Sequence, residues 1–273
     1  KLNFLVRKDE KIGEIGHPLL ALQLTPPVQN FQDIEGRTQI GALLYTTAAY
    51  TSTTCPRCGW RKNYYISYKN IEQAKKDFAE ICISFDQGVF RFAYRSESSI
   101  KKTAKINAVS RDWQLYSNVP RYKSQKINGP WEVIRYESMT EEFKKLFLEH
   151  GIDITRPNIT DQLTAENLSS DFWKNLVTLW NLLCQIRNTK EREDVIHCPA
   201  CYFNSNNTQD ILPLFADNYR ESAIFNGDAN GAYNIARKGS IMINRIKLHD
   251  YTSKKYPDLL ITQEDWDSFL SEK

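Results

Sequence analysis

Four cysteines in two short clusters, Cys55-Pro-Arg-Cys58 and Cys198-Pro-Ala-Cys201, are the residues of this sequence best placed to do chemistry. Each cluster is a C-x-x-C knuckle with proline as its first spacer. Two knuckles together supply four thiolates, the ligand set of a closed tetrahedral zinc site. Zinc held this way is structural, because four thiolates leave no coordination position open to a substrate. Four unrelated thiols are the plainer alternative, and the matching prolines argue against it. The stretch from Cys58 to Cys198 is far longer than a compact zinc ribbon needs, so it is expected to fold as a separate insertion. His197, beside the second knuckle, is either a spare ligand or a surface neighbour.

Further candidates are charged. Asp228 opens the run Asp228-Ala-Asn-Gly-Ala-Tyr-Asn-Ile at the mouth of an expected helix. An aspartate there can simply cap the helix, accepting backbone N–H groups at the positive end of the dipole. It can also hold a divalent metal, and the small residues Ala229, Gly231 and Ala232 would let another backbone approach closely. One carboxylate cannot hold a metal pair, and Glu10, Glu14, Asp33 and Glu35 are partners only by position. Arg187 is expected where a buried helix ends, either satisfying the last carbonyls or gripping a phosphate with its planar fork. Asp194 by itself reads as a solvated loop acid. Lys101, Lys102, Lys105, Arg111, Arg121, Lys123, Lys126 and Arg135 are interleaved with Trp113, Tyr116, Tyr122 and Trp131. Cations for a phosphate backbone and rings for bases suit a single-strand binder, while a solvated basic face is the alternative. The basic aromatic run Arg61-Lys-Asn-Tyr-Tyr65 could do similar work.

The elements that must position these residues are partly visible. Gln39 to Thr46 is an apolar run with strand-favouring ends, and residues 1–54 read as extended segments. Ile71 to Glu80 reads as a short helix, and Ile81–Phe85 with Val89–Tyr94 as a hairpin across Asp86-Gln-Gly88. Residues 96–136 show little periodicity. Ser138-Met-Thr-Glu141 is a capping box that opens a helix ending before Gly151. The strongest helix spans about Asp171 to Arg187, with Phe172, Leu176, Leu179, Leu183 and Ile186 on one face. Trp173, Val177, Trp180 and Cys184 widen that stripe, which implies burial on two sides. Residues 202–222 read as irregular. Helices are expected from Asp228 to about Leu248 and after the capping box Thr262-Gln-Glu-Asp265. Cys82 and Cys184, outside the knuckles, are expected as core thiols.

Bulk properties exclude some classes. With 273 residues, a net charge of +3 and 25% charged residues, the chain reads as globular and mildly basic. That balance permits nucleic-acid binding without requiring it. No apolar run approaches the roughly 20 residues of a membrane span. Paired C-x-x-C without a secretory signal favours metal over disulfides and a reducing cytosol. The first residues lack an initiator methionine, so a piece of a longer protein is expected.

The run Thr51-Ser-Thr-Thr-Cys-Pro-Arg-Cys-Gly59, the second Cys-Pro-x-Cys and Asp228-Ala-Asn-Gly-Ala-Tyr-Asn-Ile resemble the C-terminal RuvC region of type V CRISPR effectors. The long insertion is similar to the nuclease lobe of the type V-A effectors, the Cpf family. Lys1-Leu-Asn-Phe-Leu-Val, Gln23-Leu-Thr, Tyr50-Thr-Ser, Gln185-Ile-Arg-Asn188 and Asp265-Trp266 fall in that family's order. The resemblance implies an α/β fold: part of an RNase H-like (RuvC) domain with an inserted α+β nuclease lobe and a zinc-knuckle junction. It implies a RuvC segment over 1–54, the lobe over 55–201 and a RuvC C-terminal segment over 202–273. It implies an endodeoxyribonuclease that uses catalytic magnesium at Asp228, aided by Arg187 and Asp194, and structural zinc at Cys55, Cys58, Cys198 and Cys201. Guide RNA, target DNA and the remainder of the effector would be its partners, in a prokaryotic cytoplasm and without a membrane. The other acids of the RuvC site would lie upstream of Lys1, so this piece alone would be inactive. The alternatives are an RNA-triggered type V relative with broad nuclease activity, a transposon-type RNA-guided nuclease, and a non-catalytic zinc-ribbon module.

Overall fold

A computed structural model of the chain describes residues 22–24, 42–44, 46, 48–96, 111–126, 131–190, 193–215, 225–248 and 261–271. In chain order the elements are β1 (Leu22–Leu24), β2 (Ala42–Leu44), a 3-10 turn (Thr51–Thr53), α1 (Ile71–Ala79), β3 (Ile81–Asp86), β4 (Val89–Ser96) and β5 (Arg111–Tyr116). Then follow β6 (Arg121–Lys126), β7 (Trp131–Tyr136), α2 (Met139–Glu149), α3 (Thr160–Ala165), α4 (Ser170–Leu183), β8 (Arg187–Lys190), β9 (Glu193–Ile196), α5 (Thr208–Phe215), α6 (Gly227–Leu248) and α7 (Gln263–Ser271). Every strand pairing among the described residues is antiparallel: β1 with β2, β3 with β4 and β4 with β5, β6 with β7, and β8 with β9. The chain is therefore mixed α/β. Among the described residues no helix is long and apolar enough to cross a membrane.

The two-sided burial expected of α4 is observed. Phe172, Trp173, Leu176, Val177, Trp180 and Leu183 are all buried. Trp180 meets the rings of Phe78, Phe92 and Tyr94 at centroid distances of 6.2, 5.8 and 5.7 Å. Helices α1, α2 and α4 thus pack on the inward face of the β3–β5 sheet. A second, smaller core joins Met242 on α6 to Ile261, Trp266 and Leu270 around α7.

Several expectations need correction. The stretch 96–136, for which little periodicity gave no element, carries β5, β6 and β7 among its described residues. Helix α4 ends at Leu183, so Arg187 opens a strand instead of closing a helix. Within 202–222, residues 208–215 form α5, with Asn207 Oδ1 accepting the N–H of Gln209. Cys184 is buried as expected, but Cys82 is exposed on the outer face of β3. Of the 1–54 segment, only the paired strands β1 and β2, Thr46 and residues 48–54 lie within the described residues.

The caps fell where the sequence put them. Ser138 Oγ accepts the N–H of Thr140 at the head of α2. At α7 the exchange is reciprocal: Thr262 Oγ1 accepts from Asp265 N–H, and Asp265 Oδ2 accepts from Thr262 N–H.

Candidate active site and metal centre

The two knuckles are built alike. Cys55 N–H donates to Trp60 O and Gly59 N–H to Cys55 O. Cys198 N–H donates to Phe203 O and Tyr202 N–H to Cys198 O. Each knuckle therefore needs a left-handed residue four places after its first cysteine. Gly59 supplies it in the first with φ +75°, and Tyr202 in the second with φ +60°. For a residue with a side chain this conformation costs roughly 1–2 kcal/mol. Gly59 is further constrained by Leu270, whose Cβ would lie 2.9 Å from an added methyl.

The four sulfurs converge. Cys55 Sγ lies 3.6 Å from Cys201 Sγ and Cys58 Sγ 3.6 Å from Cys198 Sγ, and all four lie within 4.8 Å of one another. A tetrahedron with zinc–sulfur bonds of about 2.3 Å has edges of about 3.8 Å, so the cluster fits zinc. Burial pushes the Cys55 and Cys198 thiols up, whereas hydrogen bonds from Cys198, Cys55 and Cys58 push Cys201 down. Thiols this close cannot all become thiolates unless a cation shares their charge. His197 is neither ligand nor surface residue: it is buried, and burial, helped by Arg121, pushes its ring down to about 4.

The three charged candidates, distant in sequence, meet at the mouth of α6. Strand register sets the first contact. Arg187 lies opposite Ile196 and Thr189 opposite Asp194 in the β8–β9 hairpin, so Arg187 and Asp194 are diagonal neighbours on one face. Arg187 Nε donates to Asp194 Oδ2 at 2.8 Å, and Nη2 donates to the same oxygen. Nη2 also stands 3.6 Å from Asp228 Oδ1. The side chains of Asp194, Arg187 and Asp228 are 20%, 35% and 88% exposed, a gradient running from the protein outward.

Asp228 does not cap its helix. Asn226 does, its Oδ1 accepting from the N–H groups of Asp228 and Ala229 at 3.1 and 2.9 Å. The Asp228 carboxylate is thus left facing solvent beside the guanidinium. Gly227 makes room for the pair: a methyl there would lie 2.6 Å from Arg187 Nε and 2.8 Å from Cζ.

Below the acid, α6 grips the approach to the first knuckle. Asn230 and Asn234 are fully buried, one turn apart. Asn230 Nδ2 donates to Ser52 O and Thr54 O, both at 3.0 Å. Asn234 Nδ2 donates to Thr51 O and Thr54 O at 2.9 and 3.0 Å. Arg237 donates to Pro56 O and Lys238 to Ala49 O. Gly231 lies against Ser52, as its size foretold, whereas Ala232 is exposed. The sequence reading missed Asn226, Gly227, Asn230 and Asn234. The polar spacing of four within a helix that starts Asn-Gly-Asp was their one signal.

The proposed nucleic-acid face fares unevenly. Lys101, Lys102 and Lys105 lie outside the described residues. Arg121 must be withdrawn: it is fully buried, donating from Nε to Leu182 O at 2.9 Å and from Nη2 to Leu183 O at 2.6 Å. It caps the C-terminal end of α4, the part foreseen for Arg187, and burial pushes it down to about 10. Trp113 is likewise unsuited to stacking, being buried with Nε1 donating to Ser96. Arg111 covers the Trp113 ring at 4.2 Å and donates to Leu270 O, so it braces α7. Lys123 is half-buried on β6, and Lys126 stands at the register position opposite Trp131. Of the second basic run, Arg61 pairs with Asp267 and Lys62 donates to Asn181 Oδ1.

Among the described residues the four cysteines form the one cluster of metal-ligating side chains. Asp228 can offer one carboxylate to a divalent cation, while Asp194 is committed to Arg187. Residues 54–207 match the family model described as a nuclease domain. That stretch takes in both knuckles, Arg187 and Asp194 and covers more than half of the 273 residues.

Proposed function

The chain belongs to the nuclease-domain family, and from that premise we propose that it cleaves DNA as the C-terminal part of a type V-A RNA-guided endonuclease. In this reading residues 1–54 and 202–273 are parts of a RuvC domain, and 55–201 are the lobe that loads single-stranded DNA. Guide RNA, target DNA and the rest of the effector are its partners, and sequence specificity lies in guide pairing. The observation that carries the reading is the convergence of Arg187, Asp194 and Asp228 at the mouth of α6, with the cap supplied by Asn226.

Each residue has a distinct task. Asp194 fixes the plane of the guanidinium. Arg187 presents its donors toward solvent, where a phosphate can be gripped. Asp228 offers a carboxylate to magnesium, with the remaining ligands supplied from outside the described residues. When bound, the metal activates water and stabilises the leaving oxygen. The zinc centre does no chemistry; it holds the lobe to the segment that α6 clamps.

The test is Asp228→Ala in the assembled effector. Because the side chain is 88% exposed, the unfolding midpoint should stay put, while cleavage falls by at least about 100-fold, as for a lost transition-state contact. Retained cleavage would favour a non-catalytic zinc-ribbon module and end the catalytic assignment.

A further inference from the structure

One exposed aromatic stack has no part in the core or in the site above. Tyr202, in the left-handed position of the second knuckle, lies against Tyr116 with ring centroids 5.1 Å apart and planes inclined by 27°. Tyr116 ends β5, and its N–H donates to Pro199 O inside the knuckle, so the two rings are fixed by backbone bonds on both sides. Tyr202 nevertheless stays 44% exposed. The equivalent position in the first knuckle is Gly59, the residue that this backbone favours. The second knuckle therefore carries a large side chain where its geometry prefers none, and turns part of the ring to solvent.

An arginine shares the sheet face of Tyr116. Arg91 on β4 is directly opposite Tyr116 in the register, which puts both side chains on the same face of the sheet, and Arg91 is exposed. A flat ring backed by a second ring, with an exposed arginine on the neighbouring strand, matches one nucleotide: base on ring, phosphate on arginine.

We propose that Tyr202, backed by Tyr116 and flanked by Arg91, is a stacking platform for an unpaired base of single-stranded DNA. This rests on the reading of the chain as a DNA-cleaving nuclease. It takes Tyr116 from the rings singled out in the sequence and joins it to Tyr202 and Arg91, which lie outside that basic stretch. Stacking is indifferent to base identity, so the platform would hold the strand without reading it.

The experiment is fluorescence anisotropy of the purified chain with a labelled oligothymidylate and with its abasic counterpart. Tyr202→Gly removes the ring and suits the left-handed backbone, so zinc content and circular dichroism should match the wild type. It should weaken oligothymidylate binding roughly tenfold, the effect of losing one base–ring stack. The wild type should lose about as much on the abasic strand, while Tyr202→Phe should bind as the wild type does. Arg91→Gln should lower the slope of log affinity against log salt by about 0.7, one phosphate contact on a single strand. Binding by Tyr202→Gly within about twofold of the wild type, or equal wild-type binding of both strands, would overturn the proposal alone. Failure of the wild type to bind oligothymidylate at all would overturn it together with the reading on which it rests.

Discussion

Adding a single methyl at Gly227 tests whether the placement of Arg187 matters apart from stability. The added carbon would lie 2.6 Å from Arg187 Nε, 2.8 Å from Cζ and 3.1 Å from Cδ. Ordinary contact is about 3.5 Å, so the guanidinium would have to retreat by about 0.9 Å. Helix α6 cannot easily yield instead. Asn230 and Asn234 pin it to four carbonyl contacts of Thr51, Ser52 and Thr54, and Gly231 already touches Ser52. The Arg187–Asp194 bond is 2.8 Å at Nε, and a shift of that size breaks it. Gly227 does not have positive φ, so alanine brings no backbone strain. It favours the helix by up to about 1 kcal/mol. The lost, partly exposed ion pair offsets that gain, so Gly227→Ala should leave the unfolding midpoint nearly unchanged while lowering the single-turnover cleavage rate of the assembled effector about 100-fold, the usual effect of a 1 Å misplacement. Calorimetry beside a strand-cleavage time course makes the comparison. A rate within about twofold of the wild type would show that the guanidinium's position is irrelevant to the reaction.

Two further outcomes can be measured on the isolated chain. With zinc bound, Cys82 alone should react rapidly with iodoacetamide, since Cys184 is buried and burial pushes its thiol up to about 12; chelation should free the four knuckle thiols and lower the unfolding midpoint by about 10 °C or more, and unchanged labelling after chelation would mean that no metal had been held. Asn234→Ala should destabilise by about 2–4 kcal/mol, because Thr51 O keeps only a 3.5 Å contact from Asn230 and the Asn230 amide oxygen loses its donor; a shift in unfolding midpoint under about 1 °C would refute the clamp.

Legibility followed the range of the interactions. The helix from Ile71, the hairpin across Gln87 and Gly88, and the caps at Ser138 and Thr262 rest on neighbours a few residues away, and all were readable. Strands β5 to β7 were not. Their alternation is blurred by polar and aromatic side chains whose partners, such as Arg91 for Tyr116 and Arg135 for Tyr122, lie on other strands. Arg121 was misread because composition counts a charge without saying where it points. Its donors find carbonyls exposed by the end of α4, about sixty residues away in sequence. The residue types at Arg187, Asp194 and Asp228 could be singled out from the sequence. Their meeting could not, since it depends on the turn of a hairpin and on where α6 comes to rest.

The four-cysteine cluster and the group Arg187, Asp194 and Asp228 are parts of one mechanical arrangement. Strand β9 holds Asp194, which holds Arg187, and runs two residues later into the second knuckle. The first knuckle is preceded by the 3-10 turn and Thr54, whose carbonyls Asn230 and Asn234 grip from one turn below Asp228. The cysteine cluster therefore joins the β8–β9 hairpin that presents the arginine to the loop that seats the aspartate's helix. Helix α7 adds a second tie: Arg61 after the first knuckle pairs with Asp267, Arg111 on β5 donates to Leu270 O, and Arg245 on α6 pairs with Asp265. The 3.6 Å separation of Arg187 and Asp228 is thus set by contacts outside either residue. Opening of the cysteine cluster would act on that distance through β9 and α6, because the aspartate side chain is 88% exposed and Arg187 is held through Asp194 on β9.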